Sequence, residues 1–408
     1  MTYPLTINNL SFTHLLYADD IVLVADCETS LQNNINALHE FCRKWHLIVN
    51  VGKTNVMKIG DNSQHQFCYN EKLIENVETF KYLGHILTNK RNIHSKMGKY
   101  LATQAQKALF ALQGDTKHSL GYITPKLAMK MFDTYILPIL EYNCEIWSNV
   151  KPIDDIEKIQ IGYLKNMLGI RRQTPTLAAY GETGRFPLHV RQQVRMVNYW
   201  LKLKRLPDSC ILKKCLNIHE NALSSGQSSW LRKVKQIITE FVQIEDLNTI
   251  ARTFAVNIYT KTQENLLAKI YDSIQQPKLR TYKLIKSDYR IEPYLLLNLG
   301  RKTYNKIARF RTSSHNLRIE TGRHERPLIP VEERLCTKCN LNEVEDEIHS
   351  LIICPNNTPL RLRLFDLARV YIYDFDIMND TNKFRSIMCS KESELLRCLG
   401  KFLIDIDM

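Results

Sequence analysis

Residues 15–25, with the sequence LLYADDIVLVA, place two adjacent carboxylates, Asp19 and Asp20, between two apolar runs. The runs, residues 10–17 and 21–25, are rich in β-branched and aromatic residues, so they predict two strands of a β-hairpin joined by the Ala-Asp-Asp turn. Apolar strands on both sides predict a buried sheet with the turn at its edge. Such a turn suits a divalent cation; an ordinary turn with local aspartate hydrogen bonds is the alternative.

Three further patterns follow within the first ninety residues. Apolar residues from Leu31 to Trp45 recur at helical spacing behind a Thr29/Ser30 cap, which predicts an amphipathic helix against the sheet. Residues 48–54, IVNVGKT, predict a strand and a turn that carries Lys53 near the sheet edge. Residues 80–87, FKYLGHIL, predict a strand of a hairpin that could hold a ligand. Gly84 lies inside this strand, where another backbone can approach closely.

Helices are predicted for most of residues 91–277. Their signals are helical periodicity from residue 101, a proline at the first helical position after Thr124, and a Leu/Ile pattern over residues 211–274. One helix is basic, and it is a candidate for contacts with a nucleic-acid backbone; a solvated polar face is the equal alternative. Its cations are Arg191, Arg195, Lys202, Lys204 and Arg205.

Net charge points to the partners of this chain. The 408 residues carry +14, and residues 278–335 contribute +8 of it, with 14 Lys and Arg against 6 Asp and Glu. Cations there alternate with Tyr282, Tyr289, Tyr294, Tyr304 and Phe310, a mixture suited to phosphate contacts and base stacking. A solvated helical surface is the alternative. The candidate nucleic-acid contacts in this block are Arg301, Lys302, Lys306, Arg309 and Arg311.

A cysteine and histidine cluster lies near the C-terminus. Cys336, Cys339, His349 and Cys354 have the spacing C-x2-C-x9-H-x4-C. Three thiolates and one imidazole complete a tetrahedral structural zinc site with no open position. His349 and Cys354 are expected at the end of a helix that begins within residues 343–347. Reduced cysteines near a chance histidine are the alternative.

These blocks together resemble the reverse transcriptases of non-LTR (LINE-type) retrotransposons. LLYADDIVLVA, HLIVNVGKTNVMKIG and FKYLGHILTNK look like the second half of the polymerase palm, and the Cys/His cluster like the C-terminal knuckle of the family. The resemblance implies a two-metal magnesium site with Asp19 and Asp20, and Lys53 near the phosphates of the incoming nucleotide. It further implies a primer grip, a structural zinc ion, and an RNA template with a DNA primer or target as partners. The grip residues are Phe80, Tyr82, Leu83 and Gly84.

The same resemblance predicts an incomplete active site. The family has another essential aspartate on an upstream strand, and only 18 residues precede Asp19 here. Two-metal transfer needs carboxylates from more than one strand. We therefore expect the C-terminal portion of a polymerase that does not polymerise unaided. The alternative is a non-catalytic RNA- or DNA-binding zinc-knuckle protein derived from such an element.

The expected fold class is α+β, a partial palm with a small antiparallel sheet followed by mostly helical regions. The N-terminus lacks a secretory signal pattern, and no apolar run is long enough to cross a membrane, so a nuclear or cytoplasmic protein is expected. The predicted segments are a partial palm at 1–90, a helical thumb at 91–170, a helical post-thumb region at 171–277, a basic nucleic-acid-binding segment at 278–332, the zinc knuckle at 333–356 and a helical tail at 357–408.

Overall fold

The computed structural model describes residues 4–7, 10–60, 65–90, 92–119, 123–149, 151, 153–227, 229–243, 246–272 and 274–406. Small β-sheets and a majority of helices make up these residues, so the α+β class is confirmed. The chain divides into two compact units, each built from three separate segments. Unit 1 comprises residues 1–101, 143–150 and 195–251; unit 2 comprises residues 102–142, 151–194 and 252–408.

All described strands belong to unit 1 and form small sheets. The strands are β1 (Leu5–Ile7), β2 (Leu10–Phe12), β3 (His14–Tyr17), β4 (Asp20–Leu23), β5 (Asn55–Val56), β6 (Phe67–Tyr69), β7 (Lys72–Asn76), β8 (Thr79–Tyr82) and β9 (His85–Thr88). The pairs β1–β2, β3–β4 and β8–β9 are antiparallel hairpins, whereas β5, β7 and β6 form a three-stranded mixed sheet in that order.

The helices follow chain order from α1 to α17. They are α1 (Glu28–Lys44), α2 (Met97–Ser119), α3 (Pro125–Met131), α4 (Leu137–Leu140), α5 (Cys144–Trp147), α6 (Asp154–Leu168), α7 (Thr176–Thr183), α8 (Leu188–Lys204), α9 (Ile211–Ser224), α10 (Trp230–Phe241), α11 (Leu247–Tyr271), α12 (Tyr282–Ile285), α13 (Arg301–Arg311), α14 (Arg318–Thr321), α15 (Thr358–Tyr371), α16 (Asp380–Met388) and α17 (Ser393–Asp405). No helix in the described ranges is long and apolar enough to span a membrane.

The predicted Asp-Asp hairpin is present, but its environment differs from the expectation. The first strand breaks at Thr13, so β2 pairs with β1 while β3 pairs with β4. The side chains of β3 are exposed, with Leu16 and Tyr17 at 62% and 63%. The prediction of a buried sheet here was wrong, because apolar side chains bury themselves only where another layer covers them.

One core cluster of unit 1 lies between α1 and the mixed sheet. Ile35 of α1 packs with Phe67 and Ile74 of the sheet. Gln32 of α1 fixes this arrangement, since its side chain both donates to the carbonyl of Cys68 (2.7 Å) and accepts from its N–H (3.0 Å). The side chain of Gln32 therefore pairs with the backbone of Cys68 as a neighbouring strand would, and these two hydrogen bonds position α1 against β6.

Two local predictions in this unit were wrong. The residue that caps α1 is Cys27, not Thr29 or Ser30, and its side chain makes no capping hydrogen bond. Residues 48–50 form no strand: Ile48 is 96% exposed, and the 3-10 turn Val51–Lys53 follows directly. The β-branched residues that predicted a strand have no neighbouring strand to pair with at that point.

The core of unit 2 is larger and mostly helical. Helices α13, α15 and α17 pack around Leu395, Leu399 and Ile307, all fully buried. Gly400 of α17 permits the close approach to α13, since a Cβ there would lie 2.3 Å from Cγ2 of Thr303. The predicted start of a helix at Thr124-Pro125 is confirmed, because the Thr124 hydroxyl accepts from Leu127 N and proline occupies the first turn of α3.

Five aromatic residues of the basic block also belong to this core. They were expected to stack on nucleic-acid bases, but all five are at most 4% exposed: Tyr282, Tyr289, Tyr294, Tyr304 and Phe310. That expectation was wrong. The five aromatic side chains pack into the helical core of unit 2 instead of facing solvent, as the apolar faces of amphipathic segments do.

Candidate functional site

The two carboxylates lie at the tip of the β3–β4 hairpin. Tyr17 pairs with Asp20, so the turn consists of Ala18 and Asp19. Ala18 has a φ of 51°, a left-handed backbone conformation that residues other than glycine adopt only at a cost in free energy. Both carboxylates are exposed to solvent. The tight turn therefore presents two adjacent anionic groups at the tip of a hairpin.

These residues fit part of a magnesium site. Mg²⁺ binds proteins through one or two carboxylates and takes its remaining ligands from water and substrate phosphates. Within the described ranges, three or more potential ligands converge only at the Cys/His cluster, so no third carboxylate or histidine joins Asp19 and Asp20. The hairpin can bind one cation, but the carboxylates of a two-metal site are not all assembled here.

The predicted phosphate lysine lies at the end of a turn. Lys53 closes the 3-10 turn Val51–Lys53 and its side chain is exposed. Backbone hydrogen bonds from Lys53 N to Asn50 O (3.0 Å) and from Thr54 N to Val51 O (3.1 Å) fix this turn. The ammonium is accessible to an anionic ligand.

The predicted primer grip is a hairpin rather than one continuous strand. Strands β8 and β9 pair with Phe80 opposite Leu87, and the turn residues are Leu83 and Gly84. Both have positive φ, 45° and 77°. This is the pattern of a type I′ turn, which matches the twist of the flanking strands and usually requires glycine or asparagine at both positions. Leucine at the first turn position is thus a strained choice.

Three of the five predicted cations in and directly after α8 contact carboxylates. Arg191 Nε lies 2.8 Å from Glu141, and Arg195 Nη2 lies 2.7 Å from Glu145. Burial acts to lower the pKa of Arg191, but the hydrogen bond and the negative charge of Glu141 outweigh it, so the pKa is raised overall. Lys204 pairs with Glu220, whereas Lys202 and Arg205 are exposed. The role of these five residues in nucleic-acid binding stays a prediction, and the two exposed cations are best placed for it.

The cations of α13 divide by burial. Arg301 and Lys302 are exposed, Lys306 is half-buried, and Arg309 donates to the carbonyl of Gly169 (2.6 Å). Arg311 is 1% exposed. Its inclusion among the nucleic-acid contacts was wrong, because its guanidinium lies inside the helical core, where it pairs with buried carboxylates rather than with solvent-facing ligands.

The Cys/His cluster assembles as the spacing predicts. The ligand atoms of Cys336, Cys339, His349 and Cys354 all lie within 4.8 Å of one another. The Cys336 and Cys354 sulfurs are 4.0 Å apart, and Cys339 Sγ is 3.4 Å from His349 Nε2. Tetrahedral zinc with Zn–S bonds of about 2.3 Å puts its sulfurs roughly 3.8 Å apart. Donor chemistry and spacing both fit zinc.

Local backbone structure brings these ligands together. Leu335 and Val344 form an antiparallel bridge, and Cys336 N donates to Glu343 O (2.8 Å). The helical stretch begins at Glu347, inside the expected range 343–347, and continues as a π-helical turn, His349–Ile353. Cys354 follows the end of this turn as expected, and its N–H donates to His349 O, whereas His349 lies at the start of the turn. Burial raises the pKa of the Cys336 thiol to about 12. Zinc binding must therefore displace a firmly held proton.

One partner of this cluster was missed at the sequence level. Glu343 Oε2 lies 3.0 Å from His349 Nδ1, on the ring nitrogen that does not face the cysteines. A carboxylate in this position fixes the tautomer and orientation of a metal-binding histidine. The sequence does place Glu343 between Cys339 and His349. Acidic residues are too common on protein surfaces for this one to be singled out from the sequence.

Comparison with known proteins relates the N-terminal part of this chain to reverse transcriptases. The family model described as reverse transcriptase (RNA-dependent DNA polymerase) matches residues 3–87, which include the carboxylate turn, Lys53 and the β8–β9 hairpin. An uncharacterised transposon-derived protein of Caenorhabditis elegans is 26% identical over 205 residues, covering 49% of this chain and 71% of that protein. No solved structure matches the chain. These findings support a transposon-related element of the reverse transcriptase type.

Proposed function

We propose that this chain is part of an RNA-directed DNA polymerase of a non-LTR retrotransposon, comprising the palm remainder, thumb and zinc knuckle. The observation that carries the proposal is the exposed Asp19-Asp20 turn inside the segment that matches the reverse transcriptase family. In this role Asp19 and Asp20 bind Mg²⁺, which supplies charge stabilisation for nucleotidyl transfer.

The other predicted residues take supporting roles. Lys53 contacts the phosphates of the incoming nucleotide, which its exposed position on a rigid turn permits. The β8–β9 hairpin, with Phe80, Tyr82, Leu83 and Gly84, holds the primer end. The exposed cations Lys202, Arg205, Arg301 and Lys302 neutralise backbone phosphates, and the zinc ion held by Cys336, Cys339, His349 and Cys354 stabilises the fold of the region around it.

A metal titration tests the carboxylates directly. Mn²⁺ replaces Mg²⁺ at oxygen sites and broadens the amide resonances close to it. In the presence of an RNA–DNA primer–template, we expect broadening at residues 17–22 that disappears in Asp19→Ala. Asp26→Ala, an exposed carboxylate after the same hairpin, serves as the matched control and should retain it. Broadening that persists unchanged in Asp19→Ala contradicts the assignment.

A second candidate function rests on the incomplete ligand set. Because no third carboxylate joins Asp19 and Asp20 in the described residues, the chain also fits a non-catalytic RNA- or DNA-binding protein derived from such an element. The two candidates share nucleic-acid binding and differ in metal binding at the hairpin. Primer–template binding without Mn²⁺ broadening at residues 17–22 favours the second.

Primer extension tests the expected incompleteness. We expect the 408-residue polypeptide, supplied with primer–template, nucleotides and Mg²⁺, to produce no extended primer. The physical reason is that one pair of carboxylates cannot bridge both the attacking and the leaving oxygen through two metals. Extension that Asp19→Ala abolishes and Asp26→Ala leaves intact contradicts this expectation.

A further inference from the structure

A cavity of about 280 Å³ in unit 2 is lined by four cationic side chains. They are Arg280, Lys283, Arg323 and Arg334. They come from the segment between α11 and α12, from α12 itself, from the turn after α14 and from the residue two positions before Cys336. Arg280, Lys283 and Arg323 lie in the predicted basic segment 278–332, but none of the four cations is among the individually named candidate contacts.

Carboxylates offset only part of this charge. Arg280 pairs with Glu320 (2.6 Å) and with Glu347 (2.9 Å), and Arg323 lies 3.2 Å from the same Glu320. Two carboxylates, Glu320 and Glu347, therefore form ion pairs with two of the four cations. The exposed Glu332 lies outside the lining, although its charge acts on Arg334.

Among the four cations, Arg334 gives the strongest argument for an anion site. It is 5% exposed, and its guanidinium donates to backbone carbonyls, those of Ile319 (2.9 Å) and Ile329 (3.0 and 2.9 Å). A buried guanidinium held by carbonyls keeps its full positive charge. In addition, Arg280 Nε is buried without a hydrogen-bond partner among the described residues.

Backbone packing holds Arg334 in this position. A Cβ built on Gly322 would lie 2.8 Å from Cγ and 2.9 Å from Cδ of Arg334. Glycine at residue 322 thus leaves the space that the arginine stem occupies. The cavity wall is a close contact between two elements, not a loose arrangement of surface side chains.

The rest of the lining is largely aliphatic, including Leu279, Ile319 and Val331. Apolar walls exclude water and strengthen the attraction between the cations and an anion. Ligand sites commonly combine such walls with a few charged groups, and 280 Å³ is near the lower end of their usual size, about 300 Å³. The cavity suits one small anionic group with an organic portion, and is too narrow for a duplex.

We propose that this cavity binds one phosphate group of a single-stranded nucleic acid, with the attached nucleotide against the aliphatic wall. The inference rests on the proposed function for its choice of ligand. Guanidinium groups donate in pairs to phosphate oxygens and a lysine adds a point charge. The bound phosphate offsets the excess positive charge around Arg334.

The test compares two charge-removing variants of the cavity with one charge-removing control. Lys283→Gln and Arg323→Gln each remove one cation from the lining, and Arg290→Gln removes one from an exposed position in the same basic block. A fluorescein-labelled single-stranded oligonucleotide is titrated with each zinc-loaded full-length protein over a salt series. Circular dichroism and zinc content establish that each variant is folded.

We expect Lys283→Gln and Arg323→Gln to weaken binding about tenfold, the loss of one charge-assisted contact. The slope of log affinity against log salt should become shallower by about 0.7, the value for one single-strand phosphate. Arg290→Gln should change both quantities much less. Gly322→Ala should act like the cavity variants, because its methyl group displaces Arg334.

Each alternative outcome is distinguishable. Binding by the wild type that is equally strong in the cavity variants, or equally weakened in Arg290→Gln, overturns the cavity and leaves the proposed function standing. Absence of binding by the wild type overturns the proposed function. A thermal shift with AMP that the cavity variants lose, together with unchanged oligonucleotide binding, assigns the cavity to free nucleotides and overturns its role in strand binding.

Discussion

Arg311 and Arg301 occupy the two ends of α13 but meet opposite environments. Arg301 is exposed, whereas Arg311 lies in the core, with Nε 3.0 Å from both carboxylate oxygens of Glu182 and with Glu292 beside it. Lys286 completes the set through a 2.6 Å contact with Glu292. Two cations thus balance two carboxylates away from solvent, an arrangement that is costly to form and more costly to break.

Arg311→Met should destabilise unit 2 strongly. Removing one partner of a buried ion network leaves uncompensated carboxylates, which typically costs about 3–5 kcal/mol of unfolding free energy. Arg301→Met, the exposed counterpart, should stay within about 0.5 kcal/mol. Chemical denaturation followed by circular dichroism measures both. An Arg311→Met protein of wild-type stability would contradict the buried-network assignment.

Two histidines beside the β8–β9 hairpin form a pair. His85 Nε2 and His94 Nδ1 are 2.9 Å apart. Burial, together with the neighbouring His85 and Lys233, lowers the pKa of His94 to about 4, and burial also lowers the pKa of His85. The folded pair is therefore neutral at physiological pH, and the N–H of one ring donates a hydrogen bond to the other ring.

This pair should make unit 1 sensitive to mild acid. The unfolded chain protonates His94 below its ordinary pKa of 6.5 and the folded chain only near 4, so the unfolded state binds more protons between these values. The stabilisation is present in full above pH 6.5 and is lost as the pH falls to about 4. The denaturation midpoint of unit 1 should fall across that window.

The readout is intrinsic, because all four tryptophans, Trp45, Trp147, Trp200 and Trp230, lie in unit 1. His94→Gln should flatten the pH dependence of the fluorescence-detected midpoint. His324→Gln, at an exposed histidine of unit 2, should leave it unchanged. Equal flattening by both variants would count against the histidine pair.

At the scale of elements, both candidate functional hairpins turn through residues of positive φ. Ala18 does so beside the carboxylates, and Leu83 with Gly84 does so in the predicted primer grip. Nonglycine residues in this conformation cost roughly 1 kcal/mol and tend to occur where the turn geometry serves a site. Both turns are strained points of the segment that matches the reverse transcriptase family.

Gly84→Ala should destabilise the β8–β9 hairpin by about 1–2 kcal/mol, because alanine is strained at a φ of 77°. Gly162→Ala offers a control of opposite sign. Gly162 is an exposed position inside α6 where an added methyl group would meet no atom within 4 Å, and alanine there should stabilise by about 0.5–1 kcal/mol. Denaturant midpoints compare the two; a neutral or stabilising Gly84→Ala would exclude the strained turn.

At the scale of the whole molecule, each unit has its own core. The cluster around Ile35, Phe67 and Ile74 belongs to unit 1, and the large helical cluster belongs to unit 2. The Cys/His cluster lies in unit 2, where Leu351 and Ile352 of its π-helical turn are part of that helical core. A zinc ion at the cluster therefore supports the packing of unit 2 directly.

Zinc removal should loosen unit 2 and spare unit 1. Because metal binding energy is also folding energy, chelation should speed amide exchange at Leu351, Leu395 and Leu399, with little change in tryptophan fluorescence. Cys354→Ser should reproduce the effect without chelator. Cys389→Ser, at a cysteine outside the cluster, should not. Metal analysis that finds no bound zinc in the wild type contradicts the site.

The linear sequence determined the local features whose signals lie within a few residues. The Asp19-Asp20 turn, the proline-initiated α3 and the Cys/His ligand set all formed as predicted, because turn chemistry, capping and ligand spacing act over short distances. The same short range explains the errors. Residues 48–50 carry strand-forming side chains, yet a strand exists only where a second strand pairs with it.

Only the tertiary structure decided which side chains are buried and which charges meet. Arg301 and Arg311 are chemically identical, and their exposure follows from which face of α13 packs on the core. The exposed strand β3 and the cavity beside Arg334 likewise depend on residues distant in sequence. Burial and electrostatic pairing are properties of the assembled layers, so a local pattern specifies a residue's chemistry but not the neighbours that give it a role.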